Sequence, residues 1–411
     1  MQQPEQPPSS SPLQTRSLTV YLAVRISTTF TMQMVSVAVG WQIYALTHSA
    51  FYLGMVGLVQ FIPMVLLTLV VGMAADSFSR KGIICLCQAV ETAVFFLLAL
   101  GSIRGLMTRE GILAAVFLIG MANAFQGPAM QSLLPNIVSK ESFTRATAGA
   151  ASAAQVATIA GPALGGFLYV TGPGVVYLIS GICSLFSTVF ILFIRVMQEQ
   201  AEREPVTARS LMTGISFIKS REVVLGAISL DLFAVLFGGA TALLPIYAEN
   251  ILHVGSLGLG GLRSAPAIGA MVMSYILSRK PIRRHVGHVL FAAVSCFGVA
   301  TIIFAVSRSF WLSFLILIVL GASDVFSVVI RSTLVQIETP DAMRGRVNSV
   351  NQLFIGTSNQ LGEFESGLTA SWFGPVPAAI IGGVGTIAVV LAWLKLFPAL
   401  HRVDEFYYDG R

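Results

Sequence analysis

Residues 83–103 read IICLCQAVETAVFFLLALGSI, an uninterrupted apolar stretch in which Glu91 is the single charged residue. The hydrocarbon core of a bilayer is about 30 Å thick, and a helix that crosses it needs about 20 apolar residues. The stretch has this length, and it lacks the alternation of apolar and polar residues that marks a strand of a membrane barrel. It therefore predicts a transmembrane helix.

The composition of the whole chain agrees with this stretch. Of its 411 residues 55% are hydrophobic and 11% are charged, and its mean hydropathy is +0.80. Soluble domains carry about 25% charged residues, so this chain has too few to cover a water-facing surface. A soluble enzyme, a nucleic-acid-binding domain and a disordered protein are excluded as descriptions of the chain. Its basic residues form no patch interleaved with aromatic residues, so no nucleic-acid partner is expected.

Apolar runs of spanning length recur along the chain, separated by short polar gaps. They predict an all-α integral membrane fold with twelve transmembrane helices, at Ser17–Leu46, Phe51–Ala75, Ile83–Ile103, Gly111–Pro135, Phe143–Val170, Gly174–Ile194, Val223–Ala248, Leu257–Leu277, Val289–Val306, Phe310–Ile337, Val347–Phe373 and Val376–Phe397.

The distribution of the basic residues predicts the orientation in the membrane. With a cytoplasmic N-terminus, 19 of the 25 Lys and Arg residues fall in cytoplasmic segments. Four, Arg104, Arg109, Arg263 and Arg308, are assigned to outside loops, and Arg25 and Arg331 lie within spans. The positive-inside rule then places both termini in the cytoplasm.

The longest polar gap divides the chain after the sixth span and predicts two six-helix bundles. The predicted parts are a disordered tail at 1–16, bundles at 17–195 and 222–397, a cytoplasmic linker at 196–221 and a tail at 398–411, with no cleaved signal peptide. The bundles resemble each other, because Glu141–Gly166 shifted by about 200 residues matches Asp341–Gly367. Such repeats place a transporter's substrate site at the interface of the halves.

A loop motif follows the second predicted span. Residues 72–81 read GMAADSFSRK, with Gly72, Asp76, Arg80 and Lys81 in the positions of a motif of the major facilitator superfamily. The chain resembles this superfamily over nearly all its length. In the family this loop latches the cytoplasmic side, and the resemblance implies the same gating role here. An interfacial turn with ordinary basic residues is the alternative, although it leaves Asp76 unexplained.

Two further motifs extend the resemblance. Span five carries Gly161-Pro162-x-x-Gly165-Gly166, which is similar to a motif of the family's antiporters. A generic packing seam of small residues is the alternative. Span four carries Gln126-Gly127, but Asn123 replaces the arginine that the proton-coupled antiporters usually have. The sequences of spans four, five and eleven resemble those of the branch that contains bacterial macrolide and enterobactin exporters.

Ionisable residues within the spans are the candidates for function, because each is costly in a bilayer. The family's cavity is lined by spans one, four, seven and ten, and the predicted substrate cavity holds Arg25, Asn123, Gln126, Asp231, Asp324 and Arg331. A structural ion pair, for example Arg25 with Asp231 or Arg331 with Asp324, is the alternative.

A proton-coupling carboxylate is expected among Asp324, Asp231, Glu363 and Glu365. Asp324 ranks first, because it lies near mid-membrane and two helical turns from Arg331. Glu363 and Glu365 point about 200° apart on one helix. Glu91, on a peripheral span, is expected to form a hydrogen bond within its bundle.

The remaining motifs are expected to carry no separate chemistry. His285-x-x-His288 lacks a third ligand, so no metal site is predicted, and no cofactor or nucleotide-hydrolysis motif is present. The four cysteines lie in or beside apolar runs, where no disulfide is expected.

The sequence thus predicts a secondary active transporter in a bacterial inner membrane, not an enzyme, that exports a small amphipathic molecule such as a siderophore or a drug. Alternating access with proton antiport is expected, and the predicted partners are the lipid bilayer, a small-molecule substrate and protons, with the protein a monomer. An uptake permease of the same fold is the main alternative, and a non-transporting scaffold or receptor is another.

Overall fold

The computed structural model describes residues 12–196 and 208–406, which form helices, turns and no β-strand. The N-terminal half, residues 12–196, contains six long helices: α1 (Pro12–Thr47), α2 (Ala50–Ser77), α3 (Arg80–Ile103), α4 (Arg109–Leu133), α5 (Lys140–Tyr169) and α6 (Pro173–Leu192). Helix α1 begins at Pro12, so the predicted tail at 1–16 extends too far: its residues 12–16 belong to the helix.

The C-terminal half, residues 208–406, contains five long helices, one broken span and three short helices: α7 (Ala208–Ser220), α8 (Glu222–Phe237), α9 (Leu244–Ile246), α10 (Gly255–Arg279), α11 (Val286–Val306), α12 (Phe310–Glu338), α13 (Asp341–Phe373), α14 (Pro375–Leu396) and α15 (Pro398–His401).

Equivalent sequence signals start equivalent helices in the two halves. Gly172 precedes Pro173 at the start of α6, and Gly374 precedes Pro375 at the start of α14. Both glycines have a positive φ, 113° and 88°, a conformation that side chains with a Cβ rarely adopt. The proline that follows suits the first turn of a helix, where its missing N–H needs no partner. The predicted resemblance of the halves therefore extends to their last helix junction.

The seventh predicted span, Val223–Ala248, is not one helix. Helix α8 ends at Phe237 and a 3-10 turn follows at Gly239–Leu243. A methyl group on Gly239 would overlap the backbone of α13 at Gly362. The backbone of this span thus leaves the α-helical path where it packs against α13, and the apolar run alone does not reveal the break.

The predicted linker at 196–221 is also more structured than expected. Helix α7 packs apolar side chains, including Ile218, against Val224 of α8 and Val347 of α13. Residues 197–207 of the linker lie outside the described part of the chain.

The helix ends define two faces of the molecule. The terminal side carries the start of α1 and the end of α6, which meet where the Ser17 hydroxyl donates to the Arg195 carbonyl at 3.5 Å. It also carries residues 403–404, whose carbonyls accept from the backbone of α11 at Val286 and Gly287. The distal side is the opposite face, with the loops that follow α3 and α11.

The buried apolar side chains show where the two halves meet. The largest cluster is distal and combines Met34 and Tyr44 of the N-terminal half with Tyr247 and Leu259 of the C-terminal half. The clusters nearer the terminal side draw their residues from one half each. The structure is therefore closed on the distal side.

Within residues 12–196 and 208–406, ten helical segments are long and apolar enough to cross a membrane by length and composition alone. Helices α10 and α13 are the other two of the twelve, with 25 and 33 residues. Both pack against the N-terminal half, α10 on α5 and α13 on α2. The twelve-helix fold is confirmed.

Candidate transport site

A buried ion pair lies inside the C-terminal half. Arg331 Nη1 of α12 lies 3.2 Å from Asp231 Oδ2 of α8, and the two residues are only 3% and 6% exposed. The Ser327 hydroxyl, one turn before Arg331, donates to Asp231 Oδ1 at 3.2 Å. Arg331 Nη1 also donates to Asn351 Oδ1 of α13 at 3.2 Å. The pair thus ties three helices of one half together.

The observed pairing differs from both pairings suggested by the sequence. At 1.5 Å per residue, Asp231 lies about 14 Å from the terminal end of its helix and Arg331 about 11 Å from that of α12. Asp324 lies about 21 Å from the same end, so Asp231 matches the depth of Arg331. Arg25 does not reach Asp231, because the two halves keep separate cores near the terminal side.

Asp324 lies beside this pair without joining it. Among the described residues it forms no ion pair within 4.0 Å. It lines a cavity of about 10 Å³, roughly the space of one water molecule, together with Asp231, Ser323, Ser327 and Phe297. The residues around this cavity come from α8, α11 and α12. The structure therefore places Asp324 in the interior of the C-terminal half.

A second polar cluster lies inside the N-terminal half. Glu91 of α3 is 1% exposed and Gln126 of α4 is 3% exposed. With its amide nitrogen oriented towards the carboxylate, Gln126 donates to Glu91 Oε1 at 2.7 Å. Nearby, the Gln88 amide donates to the Thr28 hydroxyl at 3.0 Å. Gln126 therefore points into its own bundle, and Glu91 has the hydrogen bond predicted for it.

Two predicted cavity residues of the N-terminal half are more accessible. Asn123 is exposed, and its amide lies 3.8 Å from the sulfur of Met32 on α1. Arg25 is half-buried, and its Nε is buried without a hydrogen-bond partner. Both remain candidates for contact with a substrate.

The glycine motif of α5 lies at two helix contacts. A methyl group on Gly161 would lie 2.6 Å from Gln33 Cβ, and one on Gly165 would lie 2.9 Å from Met34 Cα, both on α1. Gly166 faces the other half, where an added methyl would lie 2.9 Å from Gly260 Cα of α10. Pro162 lies inside the helix, where it removes one backbone hydrogen bond.

A matching contact joins α2 and α13. A methyl group on Gly367 would lie 2.5 Å from Gly54 Cα. Gly367 is the residue that the sequence repeat aligns with Gly166. The two halves thus meet through two related glycine pairs, Gly166 with Gly260 and Gly54 with Gly367. All four glycines lie near the distal ends of their helices.

Charged residues also lie at these contacts. Glu363 of α13 faces Gly57 of α2, where an added methyl would lie 3.0 Å from the carboxylate. Arg263 lies within α10, not in an outside loop, and donates to the Ser36 hydroxyl of α1. Arg263 and Glu363 interact electrostatically. Glu365 instead accepts from Thr369 of its own helix at 2.8 Å.

Arg263 and Asn351 were not predicted as site residues. Arg263 lies within the predicted span Leu257–Leu277. A charged residue inside an apolar run is the signal that could have identified it as an intramembrane charge. Asn351 carried no such signal, because an uncharged polar residue is common in a helix of this length.

The described part of the loop motif stays within the N-terminal half. Arg80 donates to the Ser132 carbonyl at 3.1 Å, and Lys81 donates to the Leu192 and Ile194 carbonyls at 2.6 and 3.0 Å. Cations stabilise carbonyl groups at helix ends in this way. Gly72 and Asp76 lie in the last turns of α2, but the side chain of Asp76 lies outside what the structure describes, so the latch remains a prediction.

No metal site was expected at His285-x-x-His288, and no disulfide was expected among the four cysteines. His285 directly precedes α11, and its backbone N–H donates to Asp404 Oδ1 at 3.0 Å, while the centroid of the His288 ring lies 4.1 Å from that of His401. No group of three metal-binding side chains forms among the residues described. The four cysteines are free.

Comparison with known proteins places this geometry in a family. Residues 8–406 match the sequence profile of a family described as transmembrane secretion effector. The enterobactin exporter EntS of Citrobacter koseri is 26% identical over 394 residues, which cover 94% of this chain and 92% of that protein. EntS of Escherichia coli O1:K1 / APEC is 24% identical over the same shares.

Solved structures have the same fold. A mutant of the nucleoside transporter NupG superposes with a TM-score of 0.75 at 14% identity, covering 93% of this chain and all of that one. A bacterial homologue of the human lysosomal transporter Spinster, in an inward-facing and unoccupied conformation, gives 0.72 at 14% identity over 96% and 97%. Both comparisons confirm the arrangement of the twelve helices.

Proposed function

The chain belongs to the transmembrane secretion effector family of the major facilitator superfamily, and on that premise we propose that it is a secondary active exporter. It moves a small amphipathic molecule, siderophore-like or drug-like, out of a bacterial cell in exchange for protons. It works as a monomer in the inner membrane, with the lipid bilayer, its substrate and protons as its partners.

The paired glycine contacts are the observation that carries this proposal. Gly166 with Gly260 and Gly54 with Gly367 join the halves at two related places near the distal side. Small residues allow helix backbones to approach closely and to separate again without interlocking side chains. Two such contacts let the halves rock against each other, as alternating access requires.

The basic residues support the orientation in this proposal. The terminal side faces the cytoplasm, because it carries most of the Lys and Arg residues. The distal-closed structure is then the inward-facing state, in which an exporter takes up its substrate.

Asp324 is the proton carrier in this proposal. Asp231 already has Arg331 as a counter-ion at 3.2 Å, whereas Asp324 has none at that distance among the residues that the structure describes. A charged carboxylate without a counter-ion is costly within a membrane, and proton uptake removes that cost. Asp324 lies in a cavity with room for about one water molecule, which could accept or deliver the proton.

The substrate class rests on the relatives and on the accessible polar groups. The relatives named as enterobactin exporters match nearly the whole chain. In the N-terminal half, Arg25 offers a cation and Asn123 an amide, both nearer the terminal side than the distal side. These groups suit an anionic or oxygen-rich molecule with aromatic parts.

Transport into inverted vesicles tests the proposal, with enterobactin and a macrolide as probes. Inverted vesicles with an acidic interior should accumulate a substrate, and collapse of the pH gradient should abolish the accumulation. Asp324→Asn should abolish pH-driven transport and leave exchange at zero gradient partly intact. Glu363→Gln should have a smaller effect.

Glu405→Gln is the matched control, because Glu405 is an exposed acid outside the spans that pairs with Arg284 at 3.4 Å. Accumulation only in right-side-out vesicles would instead identify an uptake permease. Normal pH-driven flux in Asp324→Asn would move the proton carrier to Asp231 or Glu363.

A further inference from the structure

Arg263 is a charged residue that the proposed transport cycle does not yet use. It lies eight residues, or about 12 Å, from the distal end of α10. Its Nη1 donates to the hydroxyl of Ser36 on α1, in the opposite half. It is thus a charged hydrogen-bond donor that crosses between the halves within the membrane.

Helix α1 is shaped to receive this guanidinium. Gly40 lies one turn beyond Ser36, and a methyl group there would lie 3.1 Å from Arg263 Nη2. The missing side chain leaves the space into which the guanidinium fits. Ser36 is itself exposed, but a hydrogen bond from a charged donor is stronger than one between neutral groups, so loss of either partner has a measurable effect.

Neighbouring residues of α10 support the same contact. The Ser264 hydroxyl donates to the Ile159 carbonyl of α5 at 2.7 Å, and the Gln155 amide of α5 donates to the Ala267 carbonyl at 3.1 Å. Arg263 therefore joins α1 along the edge of α10 that also holds α5. The side chain itself, unlike the glycine contacts, is held by one hydrogen bond that can break as the halves move.

Glu363 gives Arg263 a second interaction. It is near enough to Arg263 for an electrostatic interaction, although among the described residues no ion pair within 4.0 Å joins the two, and it faces the N-terminal half at Gly57. No described residue accepts a hydrogen bond from the buried Arg263 Nε, so the guanidinium keeps a free donor in the distal-closed structure. When the distal side opens and Ser36 withdraws, Glu363 remains in the same half as the partner for the released cation.

We propose that Arg263 is the distal gate residue, which holds the two halves closed through Ser36 in the space left by Gly40 and transfers to Glu363 when the distal side opens. The proposal rests on alternating access in the proposed function. It does not depend on the substrate, the coupling ion or the direction of transport.

Distance measurements between spin labels test the gate. Labels at Arg104→Cys and Arg308→Cys, in the distal loops of the two halves, report the distal opening in lipid nanodiscs without substrate or gradient, in a background without the native cysteines. Ser36→Ala should lower the ratio of distal-closed to distal-open molecules by about 5- to 30-fold, and Arg263→Met should lower it at least as much. Ser27→Ala is the matched control, because its hydroxyl donates at 3.2 Å to Cys183 within the same half.

A double variant separates gating from charge balance. If Arg263 serves only as the counter-ion of Glu363, then Glu363→Gln added to Arg263→Met should restore the closed population. We expect the double variant to stay shifted towards the open state, because the bond to Ser36 is still missing. Restoration in the double variant, or a Ser36→Ala population equal to that of Ser27→Ala, would overturn the proposal. A shift in these distances without any substrate transport would leave the gate intact and contradict the proposed function alone.

Discussion

Arg331 donates to both Asp231 and Asn351, whereas Asp324, two turns away on the same helix, forms no ion pair among the described residues. Asp231 of α8 and Asp324 of α12 thus have different surroundings, although both lie close to the same helix. A buried pair is costly to break, since removing one partner leaves an uncompensated charge. Asp231 is therefore suited to hold the half together, and Asp324 to gain and lose a proton.

This difference predicts the effect of breaking the pair. Asp231→Asn should destabilise the protein by about 3–5 kcal/mol, because Arg331 remains charged and buried. The double variant Asp231→Asn with Arg331→Gln should recover most of the loss, as measured by thermal unfolding in detergent. An equal loss in the single and double variants would show that the charge is not the cause. Glu405→Gln removes an exposed pair and should change stability by about 1 kcal/mol or less.

Helix α5 shows how one element serves two contacts. Its glycines Gly161 and Gly165 fit against α1 in the same half, while Gly166 fits against α10 in the other half. Gly149, nearer the terminal side of the same helix, has no atom within 4 Å of an added methyl group. These four glycines therefore differ in what they contact, and substitutions at them should differ in effect.

Replacement of two of these glycines tests the contact between α5 and α10. Gly166→Ala should lower the thermal stability of the protein, because its methyl group would meet the backbone of α10 and separate the halves. Gly149→Ala should leave stability unchanged or raise it by up to about 1 kcal/mol, since Ala favours helix over Gly. Tryptophan fluorescence during heating measures both, and an equal response of the two variants would contradict the assignment of Gly166 to the contact.

At the scale of the whole molecule, the largest buried cluster joins both halves at the distal side, and the clusters nearer the terminal side belong to single halves. This asymmetry defines one end state of a transport cycle. The orientation of that state relative to the cell follows only from the basic residues.

Cysteine labelling checks the orientation. In a background without native cysteines, Arg104→Cys and Arg308→Cys should react with an impermeant maleimide in intact cells, and Arg283→Cys only after the cells are opened. All three positions are exposed. Ser307, in the same loop as Arg308, is a poor probe because it is 3% exposed and accepts a hydrogen bond from Ser313 at 2.9 Å. The opposite labelling pattern would reverse the orientation and the direction of export.

The sequence by itself determined the membrane class, the twelve spans and the related halves. These features follow from local composition, because a span needs only enough apolar residues in a row, and a repeat is visible as Gly166 aligned with Gly367. The resemblance to the superfamily also followed from local motifs. The positions of Asp231, Asp324 and Arg331 along their helices followed from the helical rise, whereas Arg263 was wrongly assigned to an outside loop.

Only the tertiary structure decided which residues meet. Depth does not say which neighbouring helix a side chain faces, so the sequence left the partner of Asp231 open, and it assigned Gln126 to a cavity although it bonds Glu91. The role of Arg263 at the contact between the halves depends on Ser36, more than two hundred residues away in sequence. The break after Phe237 lies where α13 approaches this span at Gly362. In each case the packing of one helix against another fixed the outcome, because side-chain contacts between helices depend on rotation and spacing that no single segment encodes.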